Sequence, residues 1–327
     1  MTFKPLLLSL LISPLCTLSA CANTPDTSVD NDGVPQTRSD LTDAEQKQLD
    51  DFVAKQKANM RFIKGGSFEM GDFGPKLDWT GGMPISSNGD NKTLHKVTLD
   101  SFSMNAYKAT YGDFDIYSMA TGQPKEGMQE YAEKVRQPNA AAGIDWQTAQ
   151  HYCQWLGDEL NVSMNLPTEA QWEYAARNRG QYVLFPTDTG DIDDGRNIWT
   201  FEQKQEIRSK YNTSLAVPIV GLYPPNPLGL YDMTNQNYEW MSDWYDDNYY
   251  AESPEHSPQG PLTSKEKVLR SVEANEGDAS TIKLIGAVSV KRWHKVPNPP
   301  LLDNDAEINQ NGDTSARCVA NSPQTIS

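Results

Sequence analysis

The chain is short of the residues on which most reactive centres depend. It has four cysteines and four histidines in 327 residues. The histidines, His95, His151, His256 and His294, are scattered, and none pairs with another at helical or hairpin metal spacing. No Gly-x-Ser-x-Gly turn, phosphate-binding loop or zinc-type Cys/His cluster is present. Positive charge is also scarce, with 28 Lys and Arg against 44 Asp and Glu, a net charge of −16. That balance argues against nucleic acid, whose phosphates demand a basic surface. It fits a highly solvated surface, a cationic partner or bound divalent cations, and does not choose among them. Beyond the first twenty residues no apolar run is long enough to span a bilayer.

What the N-terminus holds is an export signal. One Lys, Lys4, precedes a short apolar run that ends in small residues, too short and too soon interrupted for a permanent span. The run closes on Leu18-Ser19-Ala20-Cys21, which resembles the lipobox of bacterial lipoproteins. In such proteins the cysteine is acylated and becomes the first residue. Ala22 follows where Asp would favour the inner membrane, so the resemblance implies lipidation at Cys21 and an outer-membrane anchor facing the periplasm. Residues 1–20 are then a signal peptide. Residues 21–40, rich in Thr, Ser, Asp, Asn and Pro, are a flexible tether. Cys16 leaves with the signal and Cys21 carries lipid, while Cys153 and Cys318 remain in an oxidising compartment that favours a disulfide over two thiols.

A capping box, Thr42-Asp43-Ala44-Glu45, opens a polar helix over residues 41–58. The domain proper is expected from 59 to 327. Two short strands flank a Gly65-Gly66 turn, and His95 to Phe102 alternates as a strand. Thr110 caps a helix carrying Phe114, Tyr117 and Met119. Asp145 caps a stronger one, with Trp146, Ala149, Tyr152, Cys153 and Leu156 at helical spacing. Thr168-Glu169-Ala170-Gln171 is a further capping box, followed by Trp172 and Tyr174. After residue 180 periodicity fades into short aromatic segments punctuated by Gly, Pro, Asn and Asp. The pattern is α+β and rich in loops.

Four segments stand in register with one family. They are Gly65-Gly66-Ser67-Phe68-Glu69-Met70-Gly71, the helix from Asp145 through Tyr152-Cys153-Gln154-Trp155, Leu166-Pro167-Thr168-Glu169-Ala170-Gln171-Trp172-Glu173-Tyr174-Ala175-Ala176-Arg177, and Pro224-Pro225-Asn226-Pro227-Leu228-Gly229-Leu230-Tyr231-Asp232-Met233 running on to Tyr238-Glu239-Trp240. Together they resemble the formylglycine-generating enzyme, or sulfatase-modifying factor, family over residues 60–320. The resemblance implies that family's variant of the C-type lectin fold. Elementary physics gives most of the motif residues a scaffold role, among them Pro167, Thr168, Trp172, Tyr174, Trp240 and Trp244, so the likeness speaks to fold before activity.

The resemblance carries residue-level expectations. Cys153 and Cys318 match cysteines that pair in some members, which implies a Cys153–Cys318 disulfide. Asp232, Glu239 and the carbonyls of Asn235 and Asn237 match a calcium site, a sensible oxygen set for that ion, although the family's Gly-Asn is Asn235-Gln236 here. A second calcium site would begin at Asn197 and Ile198, but no carboxylate partner is evident near Tyr211 or Asn212. The acidic run from Asp188 to Asp194 is an alternative cation site or a solvated loop.

The family's oxidases bind copper through two cysteines that follow a Leu-Arg-Gly-Gly-Ser-Trp stretch. Here that stretch reads Val268-Leu269-Arg270-Ser271-Val272-Glu273-Ala274, and no cysteine lies between Arg270 and Arg317. Without a thiolate as soft ligand and nucleophile, copper is not expected. Iron on histidine, as in the related sulfoxide synthases, is not expected either. His294, beside Trp293, is the one histidine in the altered window. The resulting expectation is a pseudoenzyme that binds a protein partner, specifically an immunity protein that neutralises a lipase-like antibacterial effector of type VI secretion encoded nearby. The alternative is a metal-dependent enzyme or maturation factor acting on a periplasmic protein through a non-thiol centre. The acidic loops 188–194 and 243–252 and the segment 271–286 are the candidate contact surfaces.

Overall fold

Side-chain caps set where the helices begin. The computed structural model describes residues 41–128, 133, 135–234, 237–271, 289–298 and 311–326. The signal, the lipidation site Cys21 and the tether lie outside the described residues, as does most of the segment 271–286. Helix α1 (Asp43–Asn59) starts on Thr42, α2 (Tyr111–Thr121) on Thr110 and α4 (Glu169–Ala176) on Thr168, each through a complete capping box. Helix α3 (Trp146–Leu160) starts on Asp145, whose carboxylate accepts from the Thr148 N–H. These caps fill backbone donors that a helix start leaves open, about 1 kcal/mol each.

A further helix, α5 (Phe201–Lys210), was not legible from periodicity. It has no buried residue and so no apolar stripe, although its box of Thr200 and Gln203 was there to be read. Helix α1, in contrast, is less polar in use than in composition. It buries Leu49, Phe52 and Gln56, and Phe52 stacks on Trp155 of α3 at 5.6 Å. The packed unit therefore begins with α1 and not at residue 59.

The strands form three small sheets. Strands β1 (Met60–Ile63), β4 (Phe102–Asn105), β10 (Val319–Ala320) and β5 (Met164–Asn165) lie in the order β1-β4-β10-β5. Strands β2 (Gly66–Met70) and β3 (His95–Leu99) pair alone. The third sheet runs β8 (Trp293–Lys295), β7 (Lys267–Arg270), β6 (Tyr238–Trp244), β9 (Thr314–Ser315), with a short helix α6 (Tyr249–Glu252) between β6 and β7. Gly65-Gly66 is thus not a hairpin turn, since β1 and β2 belong to different sheets. The chain crosses the β3–β4 connection there. A Cβ on Gly65 would sit 2.7 Å from the Ser101 nitrogen, and the Gly65 N–H donates to Ser101 Oγ at 3.1 Å.

Three apolar clusters fill the spaces between these elements. One joins α1, α2 and α3 through Phe52, Phe114, Tyr152 and Leu156; a second packs α4 on the strands through Trp172, Phe102, Met104 and Val268. A smaller one gathers Phe73, Ile85, Phe185 and Ile198 beneath the loops. Cys153 on α3 is bonded to Cys318, as the resemblance implied, with Cα atoms 5.4 Å apart. The bridge pins β10 between β4 and β5, so the last strand is an interior one.

A 165-residue separation gives the bridge a stabilising effect of about 5 kcal/mol in the chain-entropy account. The Cys153→Ala/Cys318→Ala double variant is expected to unfold at a markedly lower urea midpoint. A midpoint equal to that of the oxidised protein would contradict the assignment.

Candidate functional site

Helix α4 places Glu169, Glu173 and Arg177 four residues apart, on one face and pointing inward. All three are buried. Glu173 accepts from Arg177 at 2.7 Å, from the Gly71 N–H at 2.9 Å and from both terminal nitrogens of Arg270 at 3.2 Å. Glu169 accepts from Arg270 at 3.0 Å and from Arg292 Nε at 2.8 Å. The guanidinium planes lie over rings, Arg270 over Trp172 at 4.8 Å and Arg292 over Tyr250 at 4.3 Å. Burial pushes the Glu169 carboxyl up, but Arg292 and Arg270 outweigh it and hold the pKa below the usual value.

A second buried cluster lies on β6. The Glu239 carboxylate accepts from Arg317 Nε at 2.7 Å and Nη2 at 2.8 Å, and from the Trp172 indole at 3.0 Å. Burial again raises its pKa and the charges of Arg317 and Lys108 lower it further than that, so the group is ionised. The Lys108 ammonium stands 3.9 Å from Glu239, donates to the Asn237 carbonyl, and donates to Ser271 Oγ at 3.1 Å. Asp232 takes the left-handed conformation, φ 60°, and its carboxylate accepts from the Gly221 N–H at 2.7 Å. Gly221 is itself left-handed, and a Cβ on it would meet the Tyr107 ring at 2.9 Å.

The structure therefore brings Asp232, Asn237 and Glu239 together, while Asn235 lies outside the described residues. As placed, this oxygen set does not fit calcium. Glu239 already accepts from a bidentate arginine and an indole N–H, the Lys108 ammonium faces its Oε1, and the Asn237 carbonyl accepts from that same ammonium. An ion of charge +2 would face Lys108 and Arg317 at close range. The Asn197 and Ile198 pair fits no better. The Asn197 side-chain oxygen accepts from the Asp193 N–H and its amide donates to Asp188, while the Ile198 carbonyl accepts from Gly195. In the acidic run, Arg196 spans Asp188 at 2.6 Å and Asp193 at 2.5 Å, which makes that run a braced loop. Among the described residues no group of three or more His, Cys, Asp or Glu is placed to hold a metal.

The histidines stay apart. His151 and His256 are exposed. His95 packs edge-on against Tyr250, and His294 stacks on Tyr245 at 3.9 Å with Nδ1 2.8 Å from Glu266. Residues 273–278, expected to stand where the family carries its reactive stretch, lie outside the described residues.

Two features escaped the sequence reading. The Glu169, Glu173, Arg177 spacing is visible but interleaved with aromatic residues that carry the stronger scaffold signal. Lys108 gave no signal, because a lone lysine between a strand and a helix normally lies on the surface. Beside α4 sits a third buried acid, Asp243, which accepts from the Glu169 N–H at 3.0 Å. Burial and the Glu169 charge raise its pKa to about 7. Nearby, burial lowers the Lys267 amine to about 8, and its ammonium lies 4.0 Å from the Trp146 ring centre and 3.9 Å from that of Trp244.

A carboxyl whose folded pKa exceeds its unfolded value of about 4 favours the fold at low pH and loses that contribution as pH rises towards 7. Asp243→Asn keeps the acceptor and removes the titration. Its melting temperature is expected to exceed that of the natural protein at pH 8 and to approach it at pH 5. A variant less stable at pH 8 than at pH 5 by the same margin as the natural protein would contradict this.

Residues 45–283 match the sulfatase-modifying factor enzyme 1-like domain. The chain is 35% identical over 254 residues to a formylglycine-generating enzyme of Streptomyces coelicolor, covering 64% of this chain and 76% of that one. It is 28% identical over 102 residues to the bovine inactive C-alpha-formylglycine-generating enzyme 2, covering 31% and 32%. Over 233 residues it is 30% identical to the serine/threonine-protein kinase pkn1 of Chlamydia pneumoniae, covering 64% of this chain but only 32% of the kinase, so it spans about a third of that relative's length. Among solved structures, PvdO from Pseudomonas aeruginosa superposes with a TM-score of 0.56 at 23% identity, over 80% of this chain and 93% of PvdO, a likeness of fold. Relatives thus include both formylglycine-generating enzymes and an inactive one. With a loop-rich α+β fold and a matched segment spanning most of its length, this chain belongs to the sulfatase-modifying factor enzyme 1-like domain family.

Proposed function

We propose that this family member is a non-catalytic binding protein, exported, lipid-anchored through Cys21 and held at the outer membrane facing the periplasm. The observation that carries this reading is the lack of any cysteine between Arg270 and Arg317. Cys153 and Cys318 are joined to each other, so neither presents a thiolate to a metal or a substrate. Oxidation of the family's type needs that thiolate as ligand and nucleophile. The frame around the missing centre is nevertheless kept, with Glu173 and Arg270 paired and Glu239 and Arg317 paired in the interior. A fixed core that displays variable loops suits recognition.

The partner is a protein, and the specific reading is immunity: the chain binds and blocks a lipase-like antibacterial effector delivered into the periplasm by type VI secretion. Anchoring at the membrane places an inhibitor where such an enzyme would attack. Of the candidate contact loops, the one at 243–252 presents exposed Asp246, Asp247 and Asn248. The run 188–194 is tied down by Arg196 and suits a rigid contact. The disulfide is consistent with an oxidising compartment, and no helix among the described residues is long and apolar enough to cross a membrane.

Deleting the gene is expected to poison the cell only while the adjacent effector gene is intact, read as growth in paired single and double deletions. Equal fitness in both backgrounds would contradict immunity. Purified protein containing stoichiometric iron or copper, with turnover of a periplasmic substrate, would instead establish the maturation-enzyme reading.

A further inference from the structure

We infer that Lys108 is a built-in cation, its ammonium occupying the place that a calcium ion takes among oxygens of this arrangement, so that the fold of this chain is independent of divalent metal. The charge count comes first. Asp232 and Glu239 supply two negative charges, and Lys108 and Arg317 supply two positive ones. All four side chains are buried, Lys108 at 2% and Glu239 at 0% exposure. Among the described residues these four charges cancel, so a further charge of +2 at the same place would face two cations already paired with Glu239.

Geometry agrees with the charge. The lysine stem enters from the chain between β4 and α2 and ends where the ligands converge. Its ammonium meets the Asn237 carbonyl, Ser271 Oγ and, at 3.9 Å, Glu239. Ser271 passes the contact on by donating to the Asp232 carbonyl at 3.3 Å. Both Ser271, φ 71°, and Asp232, φ 60°, hold left-handed backbone, which costs free energy in a residue with a side chain. The surroundings therefore hold two residues in a strained form, Ser271 presenting its hydroxyl to the ammonium and Asp232 its carbonyl to that hydroxyl.

A void of about 10 Å³ is lined by Lys108, Asp232 and Trp199. That is room for about one water molecule. The buried Trp199 indole N–H has no partner among the described residues. A donor of this kind calls for an acceptor such as water and opposes a second cation. This void suits a water molecule that accepts from the indole, and the wider cleft of about 400 Å³ that Lys108 also lines is bordered by the second positive charge, Arg317.

The test uses the purified intact chain and its Lys108→Ser variant, melted in excess EDTA and in millimolar calcium chloride. The natural protein is expected to melt at the same temperature in both. The variant is expected to melt lower in EDTA and to rise by about 5 °C in calcium, once the vacated oxygens bind it. Terbium emission sensitised by tryptophan is expected from the variant alone. If the serine variant does not fold, Lys108→Met, which keeps the volume of the stem, is read in the same two assays. A natural protein that melts several degrees higher in calcium would overturn the inference. So would a folded variant with neither calcium response nor terbium emission.

Discussion

Glu169 and Glu173 are buried carboxylates one turn apart on α4, and the rest of the structure is arranged around the need to satisfy them. An ionised carboxylate in the interior is costly unless it is paired and hydrogen-bonded. Here the partners come from far along the chain, Arg270 from β7, Arg292 from the approach to β8 and the Gly71 N–H from the end of β2. Segments with little regular structure of their own are thereby fixed to a single short helix. Pairs of this kind add little net stability over an apolar core, yet losing one partner leaves a bare charge at a cost of about 3–5 kcal/mol. The Glu239 and Arg317 pair repeats the device on the other side of Trp172, whose indole donates to Glu239. A loop-rich fold with small sheets of two to four strands thus gains a defined interior.

This frame is separable from the chemistry of the family. Among the described residues, the α4 ladder and the Glu239 cluster draw on the stretch from Arg270 to Arg317 at Arg270, Ser271, Ser289, Arg292 and Arg317. Sequence between these fixed points can change while the charges they pair stay balanced. On the proposed reading, that separation is how a chain can keep 35% identity to a formylglycine-generating enzyme with no cysteine between Arg270 and Arg317. It also fits a binding role, in which the conserved demand is a rigid base for the loops.

Much of the architecture was legible because local chemistry signals it. Four caps, at Thr42, Thr110, Asp145 and Thr168, marked helix starts correctly, since each side chain bonds a backbone donor within three residues. The disulfide followed from likeness to a family. Other features depend on long-range packing that one sequence does not display. Gly65-Gly66 looked like a turn because glycine serves both turns and close chain crossings. Helix α5 has no buried face, so no apolar period marks it. The resemblance implied calcium at Asp232, Asn235, Asn237 and Glu239, but the lysine that stands beside Asn237 and Glu239 comes from more than a hundred residues earlier. A ligand set can be seen in sequence, whereas its occupant depends on which distant side chain the fold brings to it.

The central claim is that the scaffold has been kept while the oxidising centre has gone. The most direct measurement is mass spectrometry of a cysteine-containing sulfatase-type peptide after incubation, in air, with the purified protein supplied with copper. The account predicts a peptide of unchanged mass, the same as in buffer with copper alone. Conversion of the cysteine to the aldehyde by this protein, absent from the buffer control, would contradict it.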